Sequence, residues 1–160
     1  MYELASIALD MLFDQAGDWG RSLGSHSGGS SAPNKVPKLT IRNRTNRTAS
    51  IAVCVGFPKR TGTYGVTCHA AGWYNLPSGQ SYTQSVALAL DGMHVVIYAE
   101  VPGANLEWSG NTSMYITRPD AFYITNALTR DARLTEGSGQ LEVVNGNSFI
   151  MKKDQTCDLH

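Results

Sequence analysis

The sequence predicts an all-β protein, an antiparallel β-sandwich of about seven to nine strands, carrying an N-terminal apolar helix on a Gly/Ser/Pro-rich arm. Three observations lead there. From Leu39 onward, short runs of alternating apolar and polar residues are separated by turn residues every eight to twelve positions or so. Residues 93–101, MHVVIYAEV, are apolar on both faces, as in a strand at the middle of a sheet. Ahead of these lie a stretch of helical periodicity and then a segment dominated by Gly, Ser and Pro.

Residues 1–16 form the predicted helix. At about 100° per residue, Glu3, Asp10 and Asp14 fall on one narrow polar stripe, and Leu4, Ile7, Met11, Leu12 and Phe13 belong to the apolar remainder. Such a helix must pack on its own domain, on a partner or on copies of itself, because left in water it exposes a large apolar patch. Residues 17–38 read as a linker by composition. The β domain is assigned to residues 39–152 and a polar tail to 153–160.

Within the β domain, Leu39-Thr40-Ile41-Arg42-Asn43 alternates and is followed by a polar turn, Asn43 to Thr48. Ala49 to Phe57 sets Ile51, Val53 and Val55 on one face and the small residues Ser50, Ala52, Cys54 and Gly56 on the other, which lets a second layer approach closely. A basic loop with Lys59 and Arg60 leads to a broken strand bearing Trp73 and Tyr74, then to the turn Pro77-Ser78-Gly79. Tyr82 to Leu90 is read as a strand with Val86, Leu88 and Leu90 inward. Pro102-Gly103 breaks the central strand, and Leu106 to Gly110 restarts an extended segment in which the Trp108 indole needs both apolar cover and an acceptor. Met114 to Thr117 and Phe122 to Thr125 flank Arg118-Pro119-Asp120, and 126–139 reads as loop. Asn145-Gly146 predicts a hairpin between Leu141–Val144 and Ser148–Lys152.

The totals limit the function. Lys plus Arg and Asp plus Glu are 13 each, so the formal charge is zero and broad attraction to nucleic acid or an anionic membrane is disfavoured. Cys54, Cys68 and Cys157 make an odd count without repeated spacing, unlike a disulfide framework. The opening residues lack early Lys or Arg and an apolar run of signal-peptide length, and no stretch approaches the ~20 apolar residues of a membrane span. The expectation is a soluble chain, cytoplasmic by default.

The succession LTIRNRTNRT, IAVCVGF, AGWYNLPSGQ, VVIYAE, EWSG and AFYIT resembles DUF1036, a bacterial family of uncharacterised proteins, over roughly residues 39–152. The strongest pieces are Gly72 to Gly79, Ile97 to Glu100 and Trp108-Ser109-Gly110. The resemblance implies the β-rich fold and brings no catalytic residues. A cysteine frequent in that family between the Trp-Ser-Gly segment and the next strand has no counterpart in Asn111 to Thr117.

Cys68-His69 with His94 hints at a metal or a nucleophile, but adjacent strand residues point to opposite faces, and a buried thiol beside a surface imidazole is the simpler reading. Glu100 and Glu107 flank the Pro102-Gly103 turn and could face each other as the acid/base pair of a hydrolase; solvated hairpin edges are the simpler reading. Tyr74, Trp108 and Tyr115, with Arg44 and Arg47, are the candidate binders of a carbohydrate or small ligand, against core and rim roles for the same residues. No phosphate loop, paired-Cys zinc motif or nucleophile elbow is present, so no metal or cofactor is expected. The leading function is a non-enzymatic assembly or binding module that self-associates or docks a protein partner through Leu4, Ile7, Met11, Leu12 and Phe13.

Overall fold

The computed structural model describes residues 37–57, 67–86 and 92–160. The helix at 1–16 with its docking residues Leu4, Ile7, Met11, Leu12 and Phe13, the linker through residue 36, the basic loop with Lys59 and Arg60, and Leu88 and Leu90 lie outside the described residues.

The described chain is all-β, with eleven strands instead of the seven to nine expected. They are β1 (Lys38–Asn43), β2 (Ala49–Phe57), β3 (Thr67–Leu76), β4 (Ser81–Ser85), β5 (Met93–Val101) and β6 (Leu106–Trp108), then β7 (Thr112–Ile116), β8 (Phe122–Thr125), β9 (Arg133–Glu136), β10 (Glu142–Met151) and β11 (Gln155–Leu159). The large sheet runs β7-β10-β5-β2-β3-β8-β9, with β6 added to β5, and a small sheet runs β11-β1-β4. Strand β5 is central, as its sequence requires: β2 lines one edge, while β10 and β6 share the other.

The large sheet buries both faces. On one face Ile51, Val53, Val55, Met93, Val95 and Ile97 meet Leu39, Ile41, Tyr82 and Leu159 of the small sheet. On the other the sheet curls on itself, and Ala52, Cys54, Ala70 and Val96 pack with Met114, Ile116, Phe122 and Ile124. The small residues of β2 face the inside of this curl, where little room remains. Its closure is recorded in two hydrogen bonds, Tyr115 N–H to the Ala127 carbonyl at 2.9 Å and the Trp73 indole N–H to the Thr117 carbonyl at 2.9 Å.

Three readings need correction. Asn145-Gly146 does not turn; it lies inside β10, whose first half pairs with β7 and whose second half pairs with β5. A Cβ on Gly146 would stand 2.6 Å from Val96 Cγ1 and 3.0 Å from the Ile97 carbonyl oxygen, so this glycine lets one strand pass closely over β5. Residues 153–160 are not a tail: β11 pairs with β1 in parallel, an exception to the antiparallel pattern, and buries Leu159 while Asp158 joins Arg42 in a two-pronged ion pair. The stretch read as loop at 126–139 contains β9.

Gly146→Val is expected to lower stability by about 1–3 kcal/mol, because the added methyls meet backbone and a packed valine. Urea unfolding measures it, and an unchanged midpoint would restore the hairpin reading.

Candidate functional site

The site begins with an irregularity in β3. Ile51 pairs with Tyr74 and Val53 with Ala71, so Gly72 and Trp73 together oppose Ala52 in a bulge. The bulge sends the Trp73 ring into the curl, where it meets Tyr98 edge-on at 6.1 Å and Phe122 at 5.8 Å. A Cβ on Gly72 would stand 2.8 Å from the Phe122 ring, so glycine is what admits that phenylalanine.

Beyond the bulge the facing positions turn polar. Asn75, Ser50, Glu100 and Glu107 form one row across β3, β2, β5 and β6. Pro102 and Gly103 make the turn that aligns the last two: Gly103 takes φ 80°, and Ala104 N–H closes on the Val101 carbonyl at 3.1 Å. The Tyr98 hydroxyl lies within hydrogen-bonding distance of Glu100 Oε2 at 2.9 Å and Glu107 Oε2 at 3.0 Å. Arg118, from the β7–β8 connection, donates Nε to Glu100 Oε1 at 3.1 Å and Nη2 to Oε2 at 2.7 Å, and reaches Glu142 Oε1 at 3.0 Å. Its guanidinium also stacks 5.6 Å from the centre of the Trp73 ring.

This clamp sets the protonation states. Burial alone would push the Glu100 carboxyl up, but hydrogen bonds from Arg118 and Tyr98, with the Arg118 charge, outweigh it and hold the carboxyl below its ordinary range. Burial, then the two carboxylates, push the Tyr98 phenol up, so it stays a donor at neutral pH. A hydrolytic acid needs the opposite shift to that of Glu100. The geometry favours a clamp for this carboxylate over a role in proton transfer.

Beside the clamp opens a cleft of about 780 Å³. Ser50, Asn75, Glu100 and Arg118 line it together with Trp73, and Pro102, Pro119 and Ala121 add apolar wall. Asp120, Glu136 and Ser138 complete the polar lining, with Ser138 Oγ bonded to Asp120 Oδ2 at 3.0 Å. Three carboxylates stand against one arginine that is already engaged, so the lining favours ligands that donate hydrogen bonds or carry positive charge.

The ligand-binding residues singled out in the sequence lie elsewhere. Tyr74 packs against Tyr82 at 4.8 Å on the face toward the small sheet. Trp108 sits in the same cross-strand row, covered by that core, with its N–H donated to the His160 carbonyl at 3.1 Å. Tyr115, on β7 between the inward Met114 and Ile116, is partly buried against the other core and pairs with the exposed Val143. Arg44 faces Asp158 at 3.4 Å, and Arg47 is exposed on the β1–β2 turn. None of the five borders the cleft.

Glu100 and Glu107 do come together, as the Pro-Gly turn suggested. His69 and Cys68 part to opposite faces: His69 meets Tyr123 at 5.9 Å, while Cys68 joins the core inside the curl. Arg118 and Asp120 were missed as site residues, since Arg118-Pro119-Asp120 reads only as a turn until Thr117 and Trp73 are paired. Among the described residues no cluster of His, Cys, Asp and Glu could hold a metal ion, and no helix is long and apolar enough to cross a membrane. No family model, curated protein or solved structure matches this chain.

Because Glu100 is held below its ordinary pKa, its contribution to stability is complete above about pH 4.3 and is lost as pH falls through the lowered value. Glu100→Gln is therefore expected to be less stable than the parent near neutral pH, with the gap narrowing below about pH 4. Denaturant titrations across pH measure this; a gap constant down to low pH would show that the carboxylate's charge does not matter.

Proposed function

We propose that this protein is a small-ligand-binding module of β-sandwich type, and that its ligand is a compact molecule rich in hydrogen-bond donors, a carbohydrate or an amine. The carrying observation is the cleft of about 780 Å³ between Trp73, Glu100, Arg118 and Asp120, a volume suited to a ligand of that size. The aromatic and arginine are already fixed by the clamp, so little ordering remains to be done on binding. The likeness of residues 39–152 to DUF1036 is part of this proposal and brings no catalytic residue with it.

N-acetylglucosamine, galactose, ethanolamine and spermidine, added singly to isotope-labelled protein, are expected to include one that shifts the backbone resonances of Asn75, Asp120 and Ser138. Asp120→Asn should weaken that binding by about tenfold, the loss of one charged hydrogen bond. Shifts confined to other surfaces, or none from any of the four, would overturn the cleft as the binding site.

A second reading, assembly through residues 1–16, is favoured by the apolar circumference of that stretch around Glu3, Asp10 and Asp14. It predicts that the mass in solution, measured by light scattering, falls when the chain begins at Pro37. Equal monomeric masses for both chains would remove it.

A further inference from the structure

Inside the curl, away from the cleft, three reactive side chains converge across a gap in the sheet. Gly56 of β2 pairs with Cys68 on one side and His94 on the other, so no side chain separates these two on that row. Cys54, two residues before Gly56, lies on the same face and is diagonal to Cys68. Cys54 and His94 thus flank Cys68 within the same patch of the sheet. His94 Nδ1 is buried without a hydrogen-bond partner among the described residues, on the row that Gly56 leaves open toward Cys68. The contacts make the two thiols unequal. Cys54 is the main cause, and His94 a further one, by which Cys68 is lowered against the effect of its burial. Burial, then the Cys68 partner, pushes Cys54 up.

We propose that Cys68 and Cys54 form a peroxide-reactive dithiol, with His94 as its proton donor. The oxidant is hydrogen peroxide; Cys68 is 1 % exposed, and the half-buried His94 is the outermost member of the group, on the side from which the oxidant would arrive. The Cys68 thiolate attacks one peroxide oxygen; an S–O bond forms, the O–O bond breaks, and the departing hydroxide takes a proton from His94 to leave as water. Cys54 sulfur then attacks the Cys68 sulfenic acid; the S–S bond forms, the S–O bond breaks, and the hydroxide leaves with the Cys54 proton as a second water. Two thiols are oxidised by two electrons in all, and one peroxide is reduced to two waters. The two cysteines are diagonal neighbours on adjacent strands, about 7–8 Å apart along the diagonal, so a bond of about 2 Å requires a closer approach of β2 and β3.

Cys157 is the internal comparison. It is half-buried on the other side of the large sheet, in contact with the core there, and its thiol is pushed up by burial and by Asp158. A lowered thiol holds more thiolate at pH 7 than an ordinary one, and its lower intrinsic nucleophilicity offsets only part of that gain. Cys157 is disfavoured beyond that.

The experiment treats the full, reduced, folded chain with hydrogen peroxide at pH 7, quenches with alkylating agent in denaturant, and follows each cysteine by peptide mass spectrometry. Expected is a Cys54–Cys68 disulfide forming faster than any modification of Cys157. In Cys54→Ser the Cys68 sulfenic acid should be captured by dimedone and no disulfide should form; His94→Gln should slow the parent reaction. Cys157 reacting as fast as Cys68, or Cys54 and Cys68 staying reduced while Cys157 is consumed, overturns the proposal. Both outcomes are read from the unmodified sequence, so they stand even where a variant fails to fold.

Discussion

A buried indole must find an acceptor for its N–H, and much of this molecule follows from where Trp73 finds one. The acceptor is the Thr117 carbonyl, 44 residues further along the chain, in the connection that leaves β7. That bond draws β7 toward β3 and closes the curl, so that Met114 and Ile116 complete a core with Phe122 and Ile124. It also delivers the next residue, Arg118, to the face of the same ring and to Glu100. One hydrogen bond thus joins the closing of the core to the building of the polar cleft.

The clamp is a part-buried ion pair whose members are nearly saturated: Glu100 accepts from Arg118 and meets Tyr98, while Arg118 also reaches Glu142. Removing one partner from such a network leaves the other undercompensated, whereas the intact set gives a rigid wall more than it gives net stability. Rigidity suits recognition. Asp120 and Glu136, by contrast, belong to the segments that rim the cleft and stand outside the Arg118 clamp.

What the sequence discloses and what it hides divide along the range of the interactions. The centrality of β5 was legible because a strand apolar on both faces has few other places to go, and Glu100 opposite Glu107 was legible because Pro102-Gly103 is a local instruction. Trp108 likewise needed cover and an acceptor, and has both. The Asn145-Gly146 pair misled because its turn preference is local, while two neighbouring strands hold β10 extended through it. Strand β11 was concealed by its composition: its buried contribution is mainly Cys157 and Leu159, and its Asp158 faces Arg42 and Arg44. Arg118 was illegible as a site residue because nothing near it in the chain announces Trp73. Tyr74, Trp108 and Tyr115 were legible as aromatics, but alternation and bulges assign their faces, and a bulge within β3 cannot be read from the residues alone.

The parallel pairing of β1 with β11 has a consequence for how the chain is made. β1 is the first described strand and β11 the last, and Arg42 meets Asp158 across a separation of 116 residues. During synthesis β1 emerges early with one of its two neighbours, β4, close behind it, while the other is still untranslated. Among the described strands β11 is made last, so the small sheet is completed only after every other described strand has been made. Until then Leu39 and Ile41 lack the cover that Leu159 supplies, and the nascent molecule carries an apolar face that the finished one does not.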